Sequence, residues 1–335
     1  MPSHPTKPEA RLLCSLFLGH IRKTLHLFSI LLLLACLGLC FFPVEALAKG
    51  ERIAVASYPV FLFTRYLNNG RDNFQVELMT SPGTGCPHEF NPRPQDLEKL
   101  SETGILVENG LNLEIYLDRA LSVAKPDIFI IDASVGVPTI PNNRARVKVV
   151  GDPAGTDNEP NPHIFFSPKN ASIMAANIAK GLTTKDPEGA THYQERLKLF
   201  QDSMAALEKD IQAFKDTHTG YKVVASHNFI DYFTDELGLV VVADIEAVPD
   251  VAPSPARLTD LTRVIKEQKV SAILLEPEAD LNQAKTLGRE TGVQVEVIDP
   301  ATSGSGDPPV DYFQDVIKKD LALLTKALPA NAPAK

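Results

Sequence analysis

Between Pro187 and about Thr217 the apolar residues fall at Ala190, Tyr193, Leu197, Phe200, Met204, Leu207, Ile211 and Phe214. The gaps alternate between three and four residues, which keeps one stripe on one face of a helix. Asp186 reads as its N-cap, Pro187 as its first residue and Gly220 as its stop. At ~1.5 Å per residue such a helix is roughly 45 Å long. A coiled-coil segment would carry the same stripe. Strand-rich sequence of similar character on both sides favours a rigid spine between two lobes instead.

Short β-branched runs recur on either side of that spine. Before it come 52–57 (RIAVAS), 74–80 (FQVELMT), 105–107 and 127–131 (DIFII). After it come 222–226 (KVVAS), 239–245 (LVVVADI), 271–275 (SAILL) and 294–298 (QVEVI). Several are apolar throughout, as strands buried on both faces must be. Helical patterns at 94–101, 113–123, 256–268 and 281–291 alternate with them. Further helices are expected at 169–182, opened by Ser167-Pro168, and at 311–328. The expected fold is α/β: two similar lobes, each a mostly parallel four-stranded sheet with flanking helices, joined by one long spine helix. The expected boundaries are a leader at 1–48, a first lobe at 49–168, connecting helices at 169–219 with the spine at 187–217, a second lobe at 220–328, and a disordered tail at 329–335.

The amino terminus changes the picture of where the chain works. Basic residues Lys7, Arg11, Arg22 and Lys23 precede an apolar run at 27–42, and Ala46-Leu47-Ala48 follows. This is the layout of a secretory signal peptide cut after Ala48. The apolar run is short of the ~20 residues a spanning helix needs. Leu33-Leu34-Ala35-Cys36 resembles a lipoprotein box, but the apolar run continues past Cys36, which weighs against anchoring there. Removing the leader leaves 29 Lys and Arg, from 33, against 40 Asp and Glu, from 42, a net charge of −11. So acidic a protein is a poor partner for nucleic acid or anionic lipid and a good one for cations. Of four cysteines only Cys86 lies beyond the leader, so no intramolecular disulfide is expected.

Five histidines remain beyond Ala48: His88, His163, His192, His218 and His227. His192 and His218, on the spine, read as solvated surface residues. His88 follows the second strand, His163 precedes the Ser167-capped helix, and His227 directly follows a strand, as Asp299 does. In parallel α/β sheets ligands sit off the carboxyl ends of the strands. Three imidazoles and a carboxylate make a zinc-type ligand set, and the carboxylate adds tolerance of manganese. Cys86 could add a soft ligand. Glu276, in LLEPEAD, could accept a hydrogen bond from a ligand histidine. Each residue alone is equally a surface or turn residue. A catalytic zinc would want a general base nearby, and no His-Glu-x-x-His or Gly-x-Ser-x-Gly stretch supplies one.

Five segments together resemble one family. PHEFNPRPQD (87–96), NGLNLEIYLD (109–118), NPHIFFSPKN (161–170), SHNFIDYFTDELGL (226–239) and ETGVQVEVIDP (290–300) occur in the order found in the zinc- and manganese-binding solute-binding proteins of bacterial ABC importers. The resemblance implies a metal held between two lobes by His88, His163, His227 and Asp299. It also implies a monomer that delivers metal outside the cytoplasm, in the periplasm, to an ABC importer permease in the inner membrane, with no enzymatic activity. The resemblance also implies Zn²⁺, since in that family a histidine at the third position, here His227, goes with zinc, while manganese binders often carry a carboxylate there. A manganese carrier and a surface adhesin on the same scaffold are the alternatives, with a zinc hydrolase a more distant one. The loop at 152–162 (DPAGTDNEPNP) is acidic and lacks the histidine-rich tract of many zinc carriers.

Overall fold

A computed structural model describes residues 50–85, 90–123, 127–142, 144, 146–153, 159–248 and 251–330. The leader expected at 1–48, Cys86, His88 and the end of the tail lie outside the described residues. Among the described residues no helix is long and apolar enough to cross a membrane.

Two four-stranded parallel sheets form the frame. The first contains β1 (Glu51–Val55), β2 (Phe74–Leu78), β3 (Ile105–Glu108) and β4 (Phe129–Asp132) in the order β2-β1-β3-β4. The second contains β5 (Lys222–Ala225), β6 (Val240–Asp244), β7 (Ala272–Leu275) and β8 (Gln294–Val297) in the order β6-β5-β7-β8. The order is the same in both, so the lobes share one topology. The helices are α1 (Tyr58–Asn68), α2 (Pro94–Glu102), the short α3 (Leu117–Ala120), α4 (Pro168–Lys185), α5 (Ala190–His218), α6 (Asp231–Leu237), α7 (Pro255–Gln268), α8 (Leu281–Thr291) and α9 (Tyr312–Ala327).

The spine begins three residues later than the sequence suggests. Pro187–Gly189 form a single 3-10 turn, and the α-helix proper starts at Ala190. Gly189 has no room for a side chain: an added Cβ would strike Asp186, Arg71 and Tyr193. The stripe buries Tyr193, Phe200, Met204, Leu207, Ile211 and Phe214, then continues one step further to His218. His218 is therefore not a surface residue. Its ring stacks on Phe214 with centroids 4.2 Å apart, and its two nitrogens meet the carbonyls of Phe214 and Leu328 at 3.0 and 3.2 Å.

Alternation along the strands divides the apolar side chains between three cores. Ile53, Val55, Ile105 and Val107 face a central core, while Ala54 and Leu106 face a smaller cluster under α2 and α3. In the second sheet Val223, Ala225, Ala272 and Leu274 join the same central core. Val224, Ile273 and Leu275 pack under α7 and α8. The central core is continuous through both lobes. Phe63 of α1 meets Phe200 of α5 and Phe313 of α9 edge-on, at 5.3 and 4.9 Å between ring centroids. Such pairs contribute about 0.5–1.5 kcal/mol beyond the area they bury. They weld the first lobe, the spine and the closing helix into one packed unit.

Candidate metal centre

The carboxyl ends of β5 and β7 place two of the expected residues side by side. Ala225 is in register with Leu274, and the Ser226 amide continues the ladder to the Leu274 carbonyl. His227 and Glu276 each lie two residues further on. They meet with His227 Nδ1 3.0 Å from Glu276 Oε1, and both side chains are buried. Burial works to lower the imidazole pKa, but the charge of Glu276 and its contact with the ring carry the net shift upward. With Nδ1 turned to a carboxylate, Nε2 is the nitrogen left for a ligand. It is buried and, like Nδ1 apart from that carboxylate contact, makes no hydrogen bond among the described residues. A buried polar nitrogen with no partner costs free energy unless something occupies it. A carboxylate backing an imidazole is also the arrangement that orients metal-ligating histidines.

His163 is set by its own turn. Its amide and its Nδ1 both lie on Asn161 Oδ1, at 3.0 and 2.8 Å. Asn161 Nδ2 donates to the Asn228 carbonyl at 2.9 Å, so the amide orientation is decided by that network. Oδ1 is then an acceptor and Nδ1 of His163 carries the proton, which leaves Nε2 as the lone-pair nitrogen. The His163 and His227 rings lie 5.4 Å apart between centroids. Two imidazoles sharing one tetrahedral ion at the usual N–metal distance of about 2.0–2.1 Å have centroids roughly 5 Å apart. The residues present therefore fit a shared ion.

Both lobes hold the turn that carries His163. From the second lobe, Tyr232 Oη donates to the Asn161 carbonyl at 2.8 Å. From the first, Asn109 Nδ2 donates to the Pro162 carbonyl at 3.0 Å. Asn109 sits where β3 enters a left-handed turn through Gly110, Leu111 and Asn112, with φ of 84°, 56° and 59°. Gly110 is required there, because a Cβ would collide with Asp132 and Ser134. Buried Glu114 braces the turn, accepting from the Asn109 amide at 3.0 Å and from Ser57 Oγ at 2.6 Å. The chain reaches His163 after a strap that leaves the first lobe and lies on the second. Val147 donates to the Val242 carbonyl, Arg146 pairs with Asp231 and Asp244, and Asp152 pairs with Arg257. Backbone bonds from Asn142 to Glu159 and from Asn161 to Ile140 close its neck.

Asp299 lies two residues past the end of β8, one strand beyond Glu276. Its amide donates to both oxygens of buried Asp320, at 3.1 and 3.3 Å, and its Oδ1 accepts from the Ala301 amide at 2.8 Å. Ala301 is held at φ of 57°, a left-handed conformation for a non-glycine residue. Burial raises the Asp299 pKa and pushes Asp320 to about 8. The structure thus brings His227 against both Glu276 and His163, and holds Asp299 past β8 between Asp320 and the Ala301 amide. Among the described residues no group of three or more His, Cys, Asp and Glu side chains gathers at metal-holding distance. His192 stays on the spine, its ring against Tyr193. The supports Asn161, Asn109 and Asp320 were not anticipated from the sequence. Of these, Asn161 carried a readable signal, because an Asn two residues before a His can cap it.

Two parallel α/β lobes on one long helix, with one imidazole past a strand end and one before a helix start, define the architecture of two-lobed binding proteins. The chain belongs to the family described as zinc-uptake complex component A, periplasmic, whose profile matches residues 53–327. It is 27% identical over 289 residues to the zinc-binding lipoprotein AdcA of Streptococcus pneumoniae, covering 84% of this chain but 56% of AdcA. The chain therefore spans little more than half the length of that relative. It is 25% identical over 288 residues to the high-affinity zinc uptake system protein ZnuA of Bacillus subtilis, covering 84% of this chain and 89% of that one. The solute-binding protein FpvC of Pseudomonas aeruginosa, solved with Mn²⁺, shares the fold with a TM-score of 0.71 at 24% identity, over 83% of this chain and 98% of that one. The matched family is one of solute-binding components, not of enzymes. AdcA is by name a lipoprotein, so the reading that set anchoring at Cys36 aside draws no support from it.

Proposed function

We propose that this chain binds a divalent transition metal, zinc before manganese, outside the cytoplasm and delivers it as a monomer to an ABC importer permease. The observation that carries the reading is the His163–His227 pair, each ring backed at Nδ1 so that Nε2 is presented as a neutral donor. Nitrogen donors suit zinc over manganese. Asp299 and His88 are the proposed remaining ligands, supported by the family resemblance and, for Asp299, by its place at the end of β8. Cys86 is a further candidate donor. Zinc-binding relatives support the cargo. Whether the mature chain is lipid-anchored or free belongs to the same proposal, and the lipoprotein relative supports an anchor. The continuous core opposes wide closure of the lobes, so capture and release are assigned to local motion of the turns bearing the ligands. Calorimetric titration of metal-free protein tests this reading. One equivalent of Zn²⁺ should bind at least tenfold more tightly than Mn²⁺, and equal or inverted affinities would refute zinc as the cargo.

A further inference from the structure

Beside the paired imidazoles a cleft of about 610 Å³ opens between the first lobe, at Thr84 and Asn91, and the loops that follow β6 and β7. Four carboxylates line it, those of Glu246, Glu276, Glu278 and Asp280, and no Lys or Arg is among its described lining residues. A chain with 42 acidic residues has acidic patches by composition alone. Two features set this one apart. Its walls are concave and belong to both lobes, a shape that focuses the field of the charges inside it. Glu276 is 7% exposed, sets one oxygen against His227, and keeps the other, Oε2, buried without a hydrogen-bond partner among the described residues. A half-satisfied buried carboxylate in the wall of an acidic cleft calls for a cation.

Resting on the metal-binding reading above, we propose that this cleft is a vestibule that gathers a hydrated divalent cation and passes it along Glu276 to His227. The outer carboxylates are not set for direct coordination, since no metal-holding group of three occurs among the described residues. They act on the ion through its water shell. Glu278 and Asp280 are exposed at the mouth, and Glu246 lies deeper, where its charge reaches His227. Glu278 also touches Ser303, and Asp280 caps α8 through the Asn282 amide. Gln and Asn replacements preserve those contacts while removing the charge. A loop without histidines at 152–162 fits the same picture, because the collecting charge is built into the cleft instead.

The test is stopped-flow association of Zn²⁺ with the mature protein, at low and at high ionic strength. It compares wild type with the Glu246→Gln/Glu278→Gln/Asp280→Asn variant and with Glu278→Gln alone. Wild-type association should slow steeply with salt. The triple variant should associate about tenfold more slowly at low salt, lose most of that salt dependence, and dissociate at an unchanged rate. The single variant, with one exposed charge removed, should show a smaller loss of the same sign. Unchanged association in both variants would overturn the vestibule, and so would a change confined to dissociation, which would make these carboxylates part of the holding site. Wild-type protein that binds no zinc would overturn the metal reading itself, and this proposal with it.

Discussion

Glu276 Oε1 stands 3.0 Å from Nδ1 of His227, and neither side chain is more than 7% exposed. The pair follows from sheet register: β5 and β7 are hydrogen-bonded neighbours, and each residue lies two positions beyond the registered pair Ala225 and Leu274. The carboxylate fixes which imidazole nitrogen is offered to a ligand.

Glu276→Gln should therefore weaken zinc binding about 10–100-fold while leaving the far-UV circular dichroism unchanged. The glutamine amide fills the same space but brings no charge. Competition with a chelating dye measures the effect. Affinity equal to wild type would show that His227 is oriented without Glu276.

Arg146, 11% exposed, serves Asp231 and Asp244 together and fastens the strap beneath the second lobe. Removing it strands two buried carboxylates, and Arg146→Leu should cost about 3–5 kcal/mol in urea denaturation. Asp231→Leu in the same chain should recover part of that loss, because the two effects are not additive. A loss under 1 kcal/mol would mean that the strap is held by its backbone bonds and by Arg257.

The Arg71 guanidinium, hydrogen-bonded to Asp186, holds its carboxyl pKa down at about 2, below the usual 3.8. A carboxyl lowered on folding stabilises the native state fully above its unfolded pKa, and that stabilisation fades as pH falls through the folded value. Thermal stability carried by this pair should hold above pH ~4 and fall away between pH ~4 and ~2. Asp186→Asn should lower the melting temperature at pH 6 and flatten that acid limb. An unchanged acid limb would remove Asp186 from the account.

The strands were legible because runs such as 272–275 are apolar on both faces, and the spine because its stripe spans seven consecutive alternating gaps. Helix α1 escaped for the opposite reason. Every residue from Tyr58 to Asn68 except Arg65 is buried, so the helix has no polar face to reveal its period. Helix α6 was hidden in the same way, with five of its seven residues buried. The helix read at 113–123 is broken: only Leu117–Ala120 and one 3-10 turn form, because the left-handed turn at 110–112 and its brace Glu114 occupy the start. His218 misled because its solvent-facing neighbours Asp216 and Thr217 mask the stripe position it fills. At the site, His163 and His227 followed from their places at element ends. The local setting of Asp299 did not, because it depends on an Asx turn to Ala301 and a buried partner on α9, neither of which leaves a pattern in sequence.

The central claim is that His163 and His227 together hold the metal. Native mass spectrometry on residues 49–335, offered equal Zn²⁺ and Mn²⁺, tests it most directly, with His163→Ala, His227→Ala and Cys86→Ala variants run alongside. The account predicts one zinc retained by wild type and by Cys86→Ala, and none by either histidine variant. Zinc retained by both histidine variants, or lost only when Cys86 is removed, would contradict it.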